Sequence, residues 1–545
     1  MASDNEIEGG PGPSTSTAVE STGKKDKANK KRKKKHAEIE PYSSDDVLWR
    51  DVTALLGAEA TSEAASKGTE WDAPIEWGAE VEVEMSELAS NGKFFSMLLT
   101  GECIGKLSEP HPPWVIVVPF VLPGEKVKAK IHRHSKLHSF GSLIEILEPN
   151  TSLRDTTRVK CQYFGKCAGC QYQMLSYDHQ LDVKRRVVVK AFQNFSNLAE
   201  GLVPEVLPAI ASPMQYNYRT KITPHFDAPT GSRNDRKGKK KLKDVKELRI
   251  GFNEHGRRSV MDIEECPIAT PVLNEALGPI ISNVRRNIHT YKRGATLLLR
   301  DSLPIPANTA NGAENTEVAV DAPTAEAQTH ICVTDHKATI REAVGPMLFE
   351  YPAGSFFQNN NSVLVPLTSY VREAILNPPS SLPQTSPPTH LVDTYCGSGL
   401  FSITLSPHFE KIAGVEISED SIRSAKHNAE LNSIPEGKCL FFAGKAEAIF
   451  DSVKDFPPDQ TVVVIDPPRK GCDEKFIEQL LTFRPKTLVY VSCNVHTQAR
   501  DVGMIVERSN AGVGGGYMVE SVRPFDLFPQ TAHVESVAVL RLREE

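Results

Sequence analysis

The 545-residue chain lacks the long apolar run that a membrane span needs. Its longest such stretch, residues 114–122, is nine residues and is broken by Pro119, against the roughly 20 residues a bilayer core demands. An apolar N-terminal core is missing too, since MASDNEIEGGPG is acidic and small, which argues against a secretory signal. The ten cysteines lack the regular spacing of a disulfide framework, and a reducing compartment is expected. Nor is there a net positive charge. Against 63 Lys and Arg stand 69 Asp and Glu, a net of −6, whereas overall basicity is the usual footprint of a nucleic-acid binder.

The average conceals two basic segments. Residues 24–35 carry nine basic side chains and one acid (Asp26), a net of +8. Residues 233–249 carry nine basic and three acidic side chains, a net of +6, which leaves −20 for the remainder. The first segment reads as a nuclear import signal, as an arm held to phosphates by charge, or as a solubility tail. Location in the nucleus, the cytoplasm or both follows from those readings.

Length alone suggests three or four domains. A disordered basic tail is expected over 1–70, because its first 45 or so residues hold almost no large apolar side chains to offset the entropy of ordering. Short alternating apolar strands then follow at 81–83, 94–99, 115–118, 127–131 and 141–146, separated by turns such as Leu122-Pro123-Gly124-Glu125. Five short strands in such a span predict a small OB-like barrel over 71–155. A central α+β region is placed at 156–350, with loop insertions at 231–247 and 302–329, and a further proline-rich loop at 377–390 precedes the most informative stretch.

There, Leu391-Val392-Asp393 ends a strand, a Gly397-Ser398-Gly399 turn follows, and an apolar helix begins near Leu400. This is the opening unit of a doubly wound α/β sheet, in which glycines let the backbone approach a ligand. About twenty residues on, the strand 411–415 ends in Glu416, where an acid binds ribose hydroxyls. The missing third glycine suits a nucleoside without a pyrophosphate and favours S-adenosylmethionine over NAD; an ordinary αβ turn is the competing reading. The strand 461–465 runs into Asp466-Pro467-Pro468-Arg469, whose prolines stiffen the exit and turn Asp466 and Arg469 to the crevice. Amino-methylating enzymes carry an aromatic after such prolines to stack a base, so Arg469 argues for a different acceptor.

One strand further, 486–491 leads into Ser492-Cys493-Asn494. A cysteine there is either a nucleophile or a buried structural residue. Near the C-terminus, Glu535 interrupts an apolar strand entry, so it is paired or functional. Cysteine, carboxylate and methyl donor together fit methylation of uracil at carbon 5. A thiolate adding to carbon 6 makes carbon 5 nucleophilic, and a base then removes its proton. Elsewhere, Cys161, Cys167 and Cys170 fall within ten residues and Cys266 lies 96 residues on. That set reads as iron–sulfur ligation, zinc or free thiols. The spacing is not that of radical enzymes.

In these motifs the chain resembles the RNA (uracil-5-)-methyltransferases: DTYCGSG, DPPRKGCD, YVSCNVHT and DLFPQTAHVE occur in family order over about residues 75–545. The resemblance implies Cys493 as nucleophile and Glu535 as general base, with Gln358, Tyr395, Glu416 and Asp466 binding S-adenosylmethionine. Leu400 stands where bacterial members commonly have Asn. It further implies a C-terminal Rossmann-like class I methyltransferase domain over 351–545 and a TRAM identity for the N-terminal barrel. A [4Fe–4S] cluster on Cys161, Cys167, Cys170 and Cys266 is implied as in some members. The expected partner is tRNA, methylated at T-loop uridine 54 by analogy with eukaryotic members carrying similar tails, with no DNA, no membrane and a monomeric state. Ribosomal RNA is the alternative substrate, and an RNA-binding or tRNA-folding protein with secondary catalysis the alternative class. Tyr216-Asn217-Tyr218-Arg219-Thr220-Lys221 interleaves aromatic and basic residues as RNA contacts do, or as a half-buried strand does.

Overall fold

A computed structural model describes residues 39–91, 101–227, 248–291, 293–306, 329–379, 386–445, 449–511 and 515–543. Both basic segments fall largely outside these residues, as do the strand expected at 94–99, the insertion 231–247, most of 302–329 and part of 377–390.

The chain enters through α1 (Ser44–Leu56) and α2 (Ala58–Lys67). Both lie inside the stretch expected to be disordered to residue 70, and the expectation is corrected here. Ser43 caps α1 by accepting a hydrogen bond from the Asp46 amide, and acids occupy its first turn, where they complement the helix dipole. An apolar stripe of Leu48, Val52 and Leu56 reaches the N-terminal core, while Val47 joins the C-terminal one. That buried stripe, too sparse to weigh in composition, is what orders the segment.

Six strands follow: β1 (Glu80–Glu84), β2 (Glu87–Leu88), β3 (Glu102–Lys106), β4 (Val115–Pro119), β5 (Lys126–Ser135) and β6 (His138–Glu148). They form one sheet in the order β1-β5-β6-β4-β3-β2. Along β1, Glu80, Glu82 and Glu84 stand opposite Lys130, Lys128 and Lys126 of β5, so charge complementarity fixes the register on the exposed face.

After α3 (Tyr177–Phe195) the central region holds short strands: β7 (Lys221–Ile222), β8 (His225–Phe226), β9 (Gly251–Asn253), β10 (Val260–Asp262), β11 (Ala295–Thr296), β12 (Leu299–Ser302) and β13 (Ile331–Val333), with α4 (Pro271–Arg286) beside them. They pair as β10-β9-β8-β11 and β13-β12-β7, and the hairpin β14 (Thr339–Val344)–β15 (Met347–Pro352) follows. Only Lys221 of the 216–221 aromatic-basic segment is in a strand.

The C-terminal half is built on β16 (His390–Thr394), β17 (Lys411–Glu416), β18 (Cys439–Ala443), β19 (Thr461–Ile465), β20 (Thr487–Ser492), β21 (Tyr517–Phe525) and β22 (Glu535–Leu542). Their order is β18-β17-β16-β19-β20-β22-β21. The first five are parallel and β22 is antiparallel. β19 and β20 are wholly buried runs rich in Val, Ile and Leu, as expected of a sheet covered on both faces. The covering helices include α5 (Leu364–Leu376) on one face and α9 (Glu474–Phe483) and α10 (Val495–Asn510) on the other. With α6 (Leu400–Thr404), α7 (Glu419–Leu431) and α8 (Ile449–Ser452) they complete the doubly wound α/β architecture expected for 351–545.

The second face takes a further helix from outside that range. Val187, Val188, Ala191, Phe192 and Phe195 of α3 pack with Ala499, Val502 and Val506 of α10. Gly503 makes the crossing possible, since a Cβ there would stand 1.8 Å from the Ser196 carbonyl oxygen. The expected boundary at 350/351 is therefore crossed by α3. Its fully buried Lys184 donates to Asp526 Oδ1 at 2.5 Å and to the Phe528 carbonyl at 2.9 Å. Replacing Lys184 with Met leaves the Asp526 carboxylate buried without its cation, so a loss of about 3–5 kcal/mol is expected, read as a lowered urea midpoint. A midpoint equal to wild type shows that the pair holds nothing together.

Candidate active site

Each candidate side chain of the C-terminal sheet sits at a strand end that the sheet order brings to one edge. Beyond β16, Tyr395, Gly397 and Gly399 all take left-handed backbone (φ 62°, 53° and 92°). A Cβ on Gly399 would approach Ile403 Cδ1 to 2.9 Å, so this turn is held tight against α6. Just before it, Asp393 Oδ2 accepts from the Ser402 amide (2.9 Å) and hydroxyl (2.5 Å), while its Oδ1 is buried with no hydrogen-bond partner. Glu416 closes β17 and accepts from the Ser418 amide at 3.0 Å. Asp466 leaves the end of β19. Burial, then the Asp393 and Glu416 carboxylates, push Asp466 up to about 7. Asp393 is raised to about 7 by burial, with Glu416 contributing. Three acids thus share one crevice, and a cationic ligand with hydroxyls to offer meets complementary charge there.

The chemistry of the acceptor lies next to it. Ser492 of β20 is in register with Ser536 of β22. Cys493 follows the first and Glu535 precedes the second, so antiparallel pairing sets thiol and carboxyl side by side. Their coupling shows in the thiol, pushed up to about 12 by burial first, then by Glu535 and Asp466, while Arg469 opposes the rise. Glu535 is itself buried and raised to about 8 by burial and Asp466, again opposed by Arg469. The Arg469 guanidinium lies beside both groups and favours their charged forms. Its Nη1 is buried without a partner, and its carbonyl accepts from Asn494 Nδ2 (2.8 Å) and Thr497 Oγ1 (3.0 Å). The Asp466–Arg469 turn and the Cys493 turn are thereby bonded to each other.

Gln358 is buried on the loop after β15. Its neighbour Asn359 is pinned through its carbonyl by the Thr220 amide (2.9 Å) and through its side chain by Arg300 Nη1 (3.2 Å). Buried Arg300 also donates to Glu342 and Tyr351. Sequence reasoning singled out Arg469 for the crevice and left it out of the site, and it missed Asp393. The signal for both was present, an ionisable residue at the carboxyl end of an apolar strand.

Cys161, Cys167, Cys170 and Cys266 are free thiols, near enough to raise one another. Cys167 is pushed up to about 12 by burial, with Cys266 and Cys161 adding to the rise, and Cys170 is raised by burial and by the other three thiols. The Gln173 side chain lies beside the Cys170 thiol and opposes that rise. Among the described residues no group of three or more His, Cys, Asp or Glu side chains is arranged to hold a metal ion.

Sheet order, the glycine turn and the acidic crevice together define a Rossmann-like methyltransferase. A family model described as tRNA (Uracil-5-)-methyltransferase matches residues 328–543. The Schizosaccharomyces pombe tRNA (uracil(54)-C(5))-methyltransferase is 44% identical, over 94% of this chain and 86% of that protein. Its Saccharomyces cerevisiae namesake is 36% identical over 97% and 85%. A crystal structure of the Pyrococcus abyssi tRNA (uracil-54, C5)-methyltransferase with S-adenosyl-L-homocysteine shares the fold, with a TM-score of 0.55, 22% identity and coverage of 84% of this chain and 100% of that one. The chain belongs to the tRNA (uracil-5-)-methyltransferase family.

The raised carboxyls make stability depend on pH. A carboxyl whose folded value lies above its unfolded one keeps a proton that the unfolded chain has released, so stability falls as pH climbs through the folded value. For Glu535 that window runs from 4.5 to about 8. Glu535→Gln is expected to flatten the fall of Tm between about pH 5 and about pH 8, by about 1–3 °C. Parallel Tm–pH curves for variant and wild type would sink this assignment.

Proposed function

We propose that this enzyme transfers a methyl group from S-adenosylmethionine to carbon 5 of uridine 54 in the T loop of tRNA. The observation that carries the reading is the registered pairing of β20 with β22, which puts Cys493 beside Glu535 next to an acidic crevice. Asp466, Glu416, Tyr395 and Gln358 would hold the methyl donor. Buried Asp393 Oδ1, still without a partner, and the positive-φ turn at 395–399 fit such a ligand. When bound, S-adenosylmethionine supplies an electrophilic methyl on a sulfonium.

The chain's own residues do the rest. Cys493 must lose its proton, and the Arg469 guanidinium beside it favours the thiolate. The thiolate sulfur bonds to uracil carbon 6, the carbon 5–carbon 6 π pair moves onto the carbonyl at carbon 4, and carbon 5 becomes nucleophilic. Once carbon 5 carries the methyl, the Glu535 carboxylate takes its remaining proton. The freed pair re-forms the double bond and expels the Cys493 thiolate. Glu535 must be ionised to take that proton; burial and Asp466 oppose its ionisation and Arg469 favours it. The N-terminal sheet is read as the TRAM, OB-like module that meets the RNA.

The four gathered thiols are read as ligands of a [4Fe–4S] cluster. Their mutual coupling and the Gln173 amide beside Cys170 support that reading. It predicts iron and acid-labile sulfide in protein purified without oxygen; colourless, iron-free and fully active protein overturns it.

Cys493→Ala should abolish methylation and retain tRNA binding. Glu535→Gln should hold the reaction at the methylated adduct, visible as an enzyme–RNA band on a denaturing gel. Turnover by both variants means that the mechanism is wrong.

A further inference from the structure

The turns that carry the reacting side chains, 466–472 and 492–496, are both tied to the N-terminal α1 segment. Asp51 of α1 is buried. Its Oδ2 accepts from the Ser90 amide (2.6 Å) and hydroxyl (2.7 Å). The Ser90 carbonyl in turn accepts from His496 Nε2 at 3.1 Å. His496 stands three residues after Cys493, in the first turn of α10. The other Asp51 oxygen takes Lys190 of α3 at 3.0 Å, and Lys190 also reaches Glu87 at 2.8 Å. The His496 ring meets the Phe195 ring edge-on at 5.4 Å, and Arg50 of α1 lies 4.5 Å from the centroid of that same ring. Removing Asp51 therefore releases the backbone that His496 holds.

A second chain of contacts starts at Tyr42, one residue before the α1 cap. Its ring stands 5.8 Å from that of Phe195 and 5.0 Å below the Arg500 guanidinium. Arg500 Nη2 donates to the carbonyls of Lys470 (2.9 Å) and Cys472 (3.3 Å). Its neighbour Asp501 accepts from the Cys472 amide at 2.7 Å and from the Tyr490 hydroxyl at 2.6 Å. These bonds set the end of the turn that begins at Asp466 and Arg469. Tyr42 and α1 thus reach both turns, one through the Asp51–Ser90–His496 hydrogen bonds and the other through the Tyr42–Arg500 contact, with the Phe195 ring against both.

We propose that Asp51 and Tyr42 are positioning residues, through which α1 sets Cys493 and Arg469 relative to Glu535. This rests on the assignment of Cys493 and Glu535 made above. A carboxylate sealed beneath a strand end has no reason to be there for solubility, and burying it is costly unless its bonds are kept. Misplacement of reacting atoms by about 1 Å costs on the order of a hundredfold in rate, so a distant brace of this kind acts on turnover rather than on binding.

The test compares Asp51→Asn, Tyr42→Leu, His496→Gln and the double variant Asp51→Asn/His496→Gln in the full chain. Steady-state kinetics are run with tRNA and S-adenosylmethionine, and the alkylation rate of Cys493 by iodoacetamide is followed in parallel. Asp51→Asn is expected to lower kcat on the order of tenfold to a hundredfold with both KM values unchanged and to alter Cys493 alkylation. The double variant should lose no more than the worse single one, since both cut the same chain. Tyr42→Leu removes no buried charge, so it carries the test even where Asp51→Asn does not fold. Wild-type kcat in Tyr42→Leu together with wild-type kcat or additive losses in the Asp51 series overturns the proposal. Failure of the underlying assignment shows separately, as turnover by Cys493→Ala.

Discussion

The Lys184–Asp526 ion pair, sealed from water on both sides, is the constraint on which the site depends. A fully buried charge survives only with its partner and further hydrogen bonds in place. Asp526 begins the segment that ends at Glu535, and α3 holds that segment at several points. Gln180 Oε1 accepts from the Gln530 amide at 2.9 Å and its Nε2 donates to Gln530 Oε1 at 3.1 Å. Gln171 Oε1 accepts from the Ala532 amide, and Tyr218 donates to the Pro529 carbonyl at 3.0 Å. The Glu535 carboxyl is thus aimed by residues more than three hundred positions earlier in the chain. Without that scaffold, the irregular stretch before β22 has few partners of its own kind.

That long-range dependence explains what was legible in the sequence and what was not. The parallel core was readable because its strands are uninterrupted apolar runs; β19 falls on 461–465 as expected, and Cys493 and Glu535 stand where strand ends put them. The role of α3 was hidden. Its periodic Val and Phe residues announce a helix with a buried face but not which sheet receives it. Lys184 reads as an ordinary helix lysine until Asp526 is placed opposite. The order in 44–67 was missed because a handful of apolar residues in a polar, acidic stretch weigh little in composition. They weigh much once two cores are there to take them.

The crevice shows a related trade-off. Asp393, Asp466 and Glu535 all sit above their ordinary range because burial removes water and neighbouring carboxylates repel. Such crowding is destabilising in the empty protein. It is relieved by any ligand that brings positive charge, so the same acids that weaken the free protein strengthen its grip on a cationic one. Arg469 is too close to Cys493 and Glu535 to serve only as a structural counter-ion for this acidity. It tempers both groups at once.

The direction of β22 has a consequence of its own. In an all-parallel sheet every strand presents its carboxyl end to the working edge, and each contributes whatever follows it. By running the other way, β22 offers that edge its first residue instead. Cys493 and Glu535 are thus the exit of one strand and the entrance of its neighbour, like two ends of a zip closed at the same tooth. Their separation is a property of hydrogen-bond pairing, and a slip of one residue in that pairing would turn Glu535, with every other side chain of β22, to the opposite face. Polarity of a single strand, more than any loop, decides that a thiol and a carboxyl meet at this edge.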